Sequence, residues 1–449
     1  IGLGVLAIIE KLRTFASGNA VAIATTTICL IAVPGIMASE GWDDHDRSDR
    51  YTARDFAKAY LDSCEPDAIL FTMGDNDTFP LWYVQEVENY RTDVRIVNLS
   101  LLNTDWYIDQ MKRDAYDGKG VPFSMPHKLY RQGTRDVALF KDVGASKQRW
   151  PVSKMNKWIQ SDMPQSKINY GKDYVFFPTK KLSIPVDKDK VLANGTVRQE
   201  DQDLILPSLD WNLNVSQMEK KHMLIIDMID QNKWDRPIYF SITIGNSANS
   251  YAYLWDYFQL DGLAYRLVPI KTKSEPGKIG RVESDILYGN LMETFEYGNV
   301  NDPDVYLDET NLRLVKNIRS NFSRLADQLI LEGNTKAAVE VLDKCVWLMP
   351  NEKIAYNFFM LPMAENYYIC NEKEKAREII TTMIEGIEEK LNYYNQFEGS
   401  HKNRIKNEIQ RPLALYNSAV KIAYGFDDPN YAEKLAKQFQ AILKESDLK

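Results

Sequence analysis

Cysteine and histidine are both scarce, four of each in 449 residues. Cys29, Cys64, Cys345 and Cys370 fit no zinc or Cys-x-x-Cys spacing and offer no disulfide framework. His127, His222 and His401 have no acidic, Ser or Cys neighbour pattern in the sequence. Basic charge is also short. The net charge is −8, and phosphate backbones are held by clustered Lys and Arg, so a nucleic-acid partner is not expected. No low-complexity tract argues for disorder. No GxSxG, P-loop, HExxH or GxGxxG motif occurs, so the common hydrolase, nucleotide and zincin signatures are missing.

What is present reads as globular: 44% hydrophobic and 26% charged residues, with length for two or three domains. The 9 Trp and 25 Tyr suit cores and interfaces more often than sugar or peptide stacking. The first residue is Ile rather than Met, which points to a fragment or a processed product. Residues 1–9 resemble the tail of an apolar segment, followed by a short loop with Lys11 and Arg13. Residues 19–39 then carry no charge over roughly the 20 residues needed to cross a bilayer. Pro34 is tolerable in such a helix. Lys11 and Arg13 precede the span, while Asp43, Asp44 and Asp46 follow it. The positive-inside rule therefore places residues from about 40 onward outside the cytoplasm, in the periplasm of a Gram-negative inner membrane.

Three parts are expected: the end of a membrane region over 1–40, an α/β domain over 41–308, and a helical domain over 309–449. Thr52, Phe56, Tyr60 and Leu61 read as an amphipathic helix with a Thr cap. Residues 68–72 and 93–99 read as strands, each followed by a polar turn and a helical run (about 79–90 and 106–116). That pattern argues for βαβ connectivity and a mainly parallel sheet. The proline-rich stretch of about 118–215 reads as an irregular insertion with a small antiparallel element. Within it, Asn194-Gly195 looks like a hairpin turn. Residues 219–232 read as a helix, and 238–244 as a third strand tipped by Gly245, Asn246 and Ser247. From about Glu309, Phe322, Leu325, Ala326, Leu329, Gly333, Ala338, Leu342, Cys345 and Pro350 follow the tetratricopeptide template. Asn371, Ala376, Ile380 and Met383 echo it, and Tyr431, Ala432 and Leu435 suggest a third unit.

The most informative stretch runs from Asp67 to Tyr83, DAILFTMGDNDTFPLWY. A buried-type strand runs straight into Gly74, Asp75, Asn76, Asp77 and Thr78, and open α/β sheets bind ligands at the carboxyl ends of strands. One reading is a cap: Gly74 for the tight turn, Asp77 or Thr78 for the helix N-terminus, and Pro80 in its first turn. The cap reading leaves Asp75 and Asn76 unexplained. Two carboxylates would repel a phosphate, so the turn suits a metal, sugar hydroxyls or peptide amides. Asn103 and Asp105 end the second strand in the same way. Asp43, Asp44, His45 and Asp46 are juxtamembrane candidates, although consecutive side chains point in different directions and rarely converge on one ion. A divalent cation remains open as a cofactor.

The segments GWDDHDRSDRYTARDFAKAYLDSCEPDAILFTMGDNDTFPLWYVQEVE, NLSLLNTDWYIDQMKR, FFPTKKLSIPVD and WDRPIYFSITIG resemble the C-terminal half of a multi-pass membrane family. It occurs in Bacteroidota and is labelled protein O-mannosyltransferase-like. The resemblance covers the whole chain. It implies a GT-C-type glycosyltransferase that moves a sugar, mannose by the label, from a polyprenyl-phosphate donor to protein Ser/Thr outside the membrane. It also implies that the catalytic acid lies in a membrane core this chain lacks, so no catalytic residue is assigned. By analogy with external domains of oligosaccharyltransferases, Asp75, Asn76, Asp77 and Thr78, with Asn103 and Asp105, are expected to bind substrate. The expected partners are the bilayer, the lipid-linked donor and an acceptor protein. The competing expectation is a membrane-anchored periplasmic tetratricopeptide scaffold without catalysis, and a third is a metal-dependent hydrolase built on the aspartates.

Overall fold

The computed structural model describes residues 2–15, 18–244, 252–274 and 277–445. The chain divides into two compact units: Ile1–Arg50 with Asp302–Asp308, and Tyr51–Asn301 with Glu309–Lys449.

The first unit contains the helices Gly2–Leu12 and Asn19–His45. Residues Asn19–Trp42 form one helix long and apolar enough to cross a membrane, with a mean hydropathy of 2.1. Its Ile, Leu and Met side chains point outward with little protein around them. A soluble helix with that composition would bury them, so apolar surroundings suit it better than water. Within the same unit Arg50 pairs with Asp308 at 3.1 Å, and the Arg47 guanidinium lies over the Tyr306 ring.

The second unit is built on a six-stranded sheet ordered Arg281–Val282, Phe258–Leu260, Ala264–Leu267, Ile238–Ser241, Ile69–Thr72, Arg95–Asn98. The last three strands run parallel, with Ile69 opposite both Ile238 and Arg95, and Thr72 opposite Asn98. Every residue of these three strands is buried, as expected for parallel strands covered on both faces. The expected βαβ reading is therefore present, and the carboxyl ends Thr72, Asn98 and Ser241 lie on one edge. The proposed tip at Gly245, Asn246 and Ser247 lies outside the described residues.

Several local expectations change. The helix Thr52–Asp62 is capped at Tyr51 rather than Thr52. Thr52 is already helical, and its hydroxyl donates to the Gly298 carbonyl at 3.4 Å. Gly298 has φ +59, and a Cβ there would lie 2.3 Å from the Thr52 nitrogen, so the two segments meet too closely for a side chain. Asn194-Gly195 turns no hairpin. Asn194 ends the helix Lys188–Ala193, and its amide donates to the Trp234 carbonyl at 2.6 Å, so a tertiary contact overrides the turn signal. The insertion holds two small mixed sheets instead of one antiparallel element. Asp227 anchors it: this buried carboxylate accepts from Ser124 N at 2.7 Å and Met125 N at 3.1 Å, and burial pushes its pKa up.

Beyond Glu309 the chain forms helical hairpins. Glu309–Leu331 packs with Thr335–Leu348, Met360–Ile369 with Lys373–Tyr394, and Lys406–Phe426 with Pro429–Glu445. Ala338, Leu342 and Cys345 are buried, as their spacing predicts. The first hairpin leans on the α/β part: Asn321 donates to the Gly262 carbonyl at 2.6 Å and Arg324 to the Gly280 carbonyl at 2.9 Å. Arg319 is fully buried and donates to the carbonyls of Met349, Ile354 and Ala355. A side chain thus supplies the donors that this irregular link between hairpins lacks.

Candidate functional site

The strand Ile69–Thr72 leaves the sheet through Met73 and an extended Gly74, and the helix Asp75–Glu88 begins at once. The acidic turn is thus the helix's own first turn, and Pro80 falls inside the helix rather than at its start. Asp77 explains the early start. Its Oδ1 accepts from the Gly74 N–H at 3.1 Å and its Oδ2 from the Met73 N–H at 3.3 Å, meeting orphan donors at the helix N-terminus. The same Oδ2 accepts from the Ser241 hydroxyl at 3.0 Å and the Thr243 hydroxyl at 2.8 Å. Asp77 therefore ties the helix to the end of the neighbouring strand, and it is 4% exposed.

Thr78 is buried beside it. Its hydroxyl lies 2.7 Å from that of Thr72 and accepts from the Asn98 amide at 2.8 Å. The Asn98 Oδ1 in turn accepts from Ser100 N at 2.9 Å and Leu101 N at 3.0 Å. This network stitches the three parallel strand ends together. Asp77 and Thr78, expected as ligand contacts, have their hydrogen-bonding capacity engaged inside the protein.

Asp75 and Asn76 differ. Both are exposed on the outer side of the same turn. Pro80 has no N–H, so the Asn76 carbonyl lacks its i+4 helical donor and remains an acceptor on this side. Phe79 and Tyr83 follow at three and seven residues from Asn76, which places them on the same helix face. Phe79 is 51% exposed and stacks on Trp82, with ring centroids 5.4 Å apart and 29° between the planes. The outer rim thus combines a carboxylate, a carboxamide and an aromatic platform. It can accept hydrogen bonds from hydroxyls or peptide N–H groups while an apolar face rests on the rings.

The second strand tip serves the scaffold. The Asn103 Oδ1 accepts from Lys221 N at 3.0 Å, capping the helix Lys220–Asn232. Asp105 accepts from Gln132 N at 2.9 Å and Trp106 N at 2.8 Å, and these N–H groups hold it below the usual carboxylate range. In the other unit, the His45 ring meets the Gly41 carbonyl at 2.7 Å, and Asp46 accepts from Ser48 N at 2.7 Å. The Asp43 and Asp44 side chains lie outside those described. No group of three His, Cys, Asp or Glu among the described residues could hold a metal ion.

Sequence reasoning missed Ser241, Thr243, Asn98 and the Phe79–Trp82 platform. The alternation Ser241-Ile242-Thr243 at a strand end was a signal, because period two points both hydroxyls to one side. His127 meets an acid that no sequence neighbourhood showed: its Nδ1 lies 2.9 Å from Asp109, which also accepts from the Tyr130 hydroxyl at 2.6 Å.

A family model described as TMEM260-associated domain 2 matches residues 53–286, which contain the rim and all six strands of the main sheet. No curated protein and no solved structure matches the chain.

Proposed function

The chain belongs to the TMEM260-associated domain 2 family, and from that premise we propose that it is the extracytoplasmic part of a membrane-embedded glycosyltransferase. In this reading the enzyme moves a sugar, mannose by resemblance, from a polyprenyl-phosphate donor to Ser or Thr of an acceptor protein. The region beyond the apolar helix lies on the outer, periplasmic side and contributes acceptor binding. The membrane core that would carry the catalytic acid is not among these residues.

The observation that carries the reading is the division within one helical turn. Asp77 and Thr78 are consumed by the fold, while Asp75 and Asn76 face outward beside Phe79 at the strand ends where open α/β sheets hold ligands. A hydroxyl-bearing, extended acceptor fits that chemistry better than a phosphate does. Supporting it are the family match and a helix long enough to anchor the chain in a bilayer. The helical hairpins would brace the α/β part.

The test is transfer of radiolabelled sugar to an acceptor peptide by the intact enzyme in membranes. Asp75→Ala combined with Asn76→Ala is expected to remove transfer through a raised KM for acceptor, with membrane insertion and thermal midpoint retained. Unchanged transfer would reject the rim as the acceptor site and favour a non-catalytic scaffold role for this region.

A further inference from the structure

The helical hairpins carry a feature the transfer reading does not use. A groove of ≈ 310 Å³ opens between the first helix of the array and the irregular link that follows the first hairpin. It is lined by Glu309, Arg313, Lys316 and Asn317 on the helix and by Asn357 and Phe358 on the link, among others. Neither Arg313 nor Lys316 has an ion pair or side-chain hydrogen bond among the described residues.

Behind them sits Arg319, whose buried charge is met by carbonyls and by the Asn357 Oδ1 at 3.4 Å and, among the described residues, by no carboxylate. Burial first, and then the nearby Arg319 and Lys390 charges, lowers the Lys316 pKa. Glu309 is the one carboxylate among the described lining residues. The groove is therefore a cationic site on a chain whose net charge is −8.

We propose that this groove binds an acidic peptide segment, one carboxylate side chain lying against Lys316 and Arg313 and a neighbouring apolar residue on Phe358. Charge complementarity selects an anion. Asn317 offers an amide that donates and accepts, and Asn357 an amide NH2 that donates, as a peptide backbone requires. Phe358 is 55% exposed and packs at a tilt on Phe359, ring centroids 4.0 Å apart and 37° between the planes, which supplies a ready apolar face. The volume lies at the low end of small-ligand sites and fits two or three residues of a chain passing through an open groove.

The experiment is fluorescence anisotropy on the full chain in detergent, using a labelled Glu-Leu-Glu hexapeptide and its Gln-Leu-Gln analogue. The acidic peptide is expected to bind saturably, with the Gln analogue about tenfold weaker and binding lost near about 0.5 M salt. Lys316→Ala and Phe358→Ala should each weaken binding by roughly tenfold, and Glu309→Gln should strengthen it, with the thermal midpoint unchanged in all three. The proposal is overturned by equal affinity for the two peptides, by no saturable binding, or by Lys316→Ala binding as wild type does. Displacement by a hexose phosphate at lower concentration than by unlabelled peptide would also overturn it and reassign the groove to phosphorylated sugars.

Discussion

Asp75 and Asp77 stand two residues apart in one turn of helix, with the same side chain and opposite surroundings. Asp77 faces inward, where two backbone N–H groups and two hydroxyls point at it. Asp75 faces outward beside Asn76 and Phe79. The sequence offers two readings of this turn, as a cap and as a site, and the structure accommodates both by dividing the residues between them. An acidic turn at a strand end can therefore be structural on one side and available for binding on the other, and helical periodicity decides which residue falls where.

The largest expected effect breaks the inner side. Asp77→Ala removes the acceptor shared by two backbone N–H groups and the Ser241 and Thr243 hydroxyls, and should cost on the order of 3 kcal/mol in urea unfolding of the solubilised chain. A loss comparable to an exposed substitution would break the comparison.

A remote carboxylate of the same kind sharpens it. Burial alone would raise the Asp427 carboxyl, but hydrogen bonds from Arg377 at 2.7 Å, Lys373 at 2.7 Å and Tyr368 at 2.6 Å win and hold it well below the carboxylate range. Asp427→Asn should cost about 2 kcal/mol at neutral pH. Because the folded pKa is depressed, this stabilisation is complete above the unfolded carboxylate pKa and fades as pH falls through the folded value. The gap between wild type and variant, followed by thermal unfolding, should therefore narrow below about pH 4. A gap that widens in acid would contradict the assignment.

Thr78→Val removes the links to Thr72 and Asn98 and should cost about 1 kcal/mol in the same assay. The smallest stability effect belongs to the outer side. Asp75→Ala and Asn76→Ala should each stay within about 0.5 kcal/mol of wild type in unfolding. Their effect is expected in acceptor KM instead, and a large loss of stability would erase the distinction between the two sides.

The central fold was legible where period and length agreed. The apolar run 68–72 and the mixed run 93–99 became the strands Ile69–Thr72 and Arg95–Asn98, and the helical pattern from Glu309 became a helix beginning there. Legibility failed where tertiary partners decide local structure. Asn194 answers to Trp234, forty residues away, and no local rule for Asn-Gly turns contains that partner. The insertion's strands are only three to five residues long, too short for period alone to fix their partners, so their pairing is set by packing. At the site, the strand-tip location was readable. The division between Asp75 and Asp77 was not, because Ser241 and Thr243 lie more than 160 residues further along.

Arg319 has a mechanical consequence. The link from Met349 to Asn357 contains no regular element, yet three of its carbonyls close on one guanidinium planted in the preceding hairpin. The irregular joint is pinned from within the hairpin that precedes it. The pitch between the first and second hairpins is thus held at the link by Arg319 and, along the helices, by packing and by bonds such as Asn366 to Ser323 and Tyr367 to Asp343.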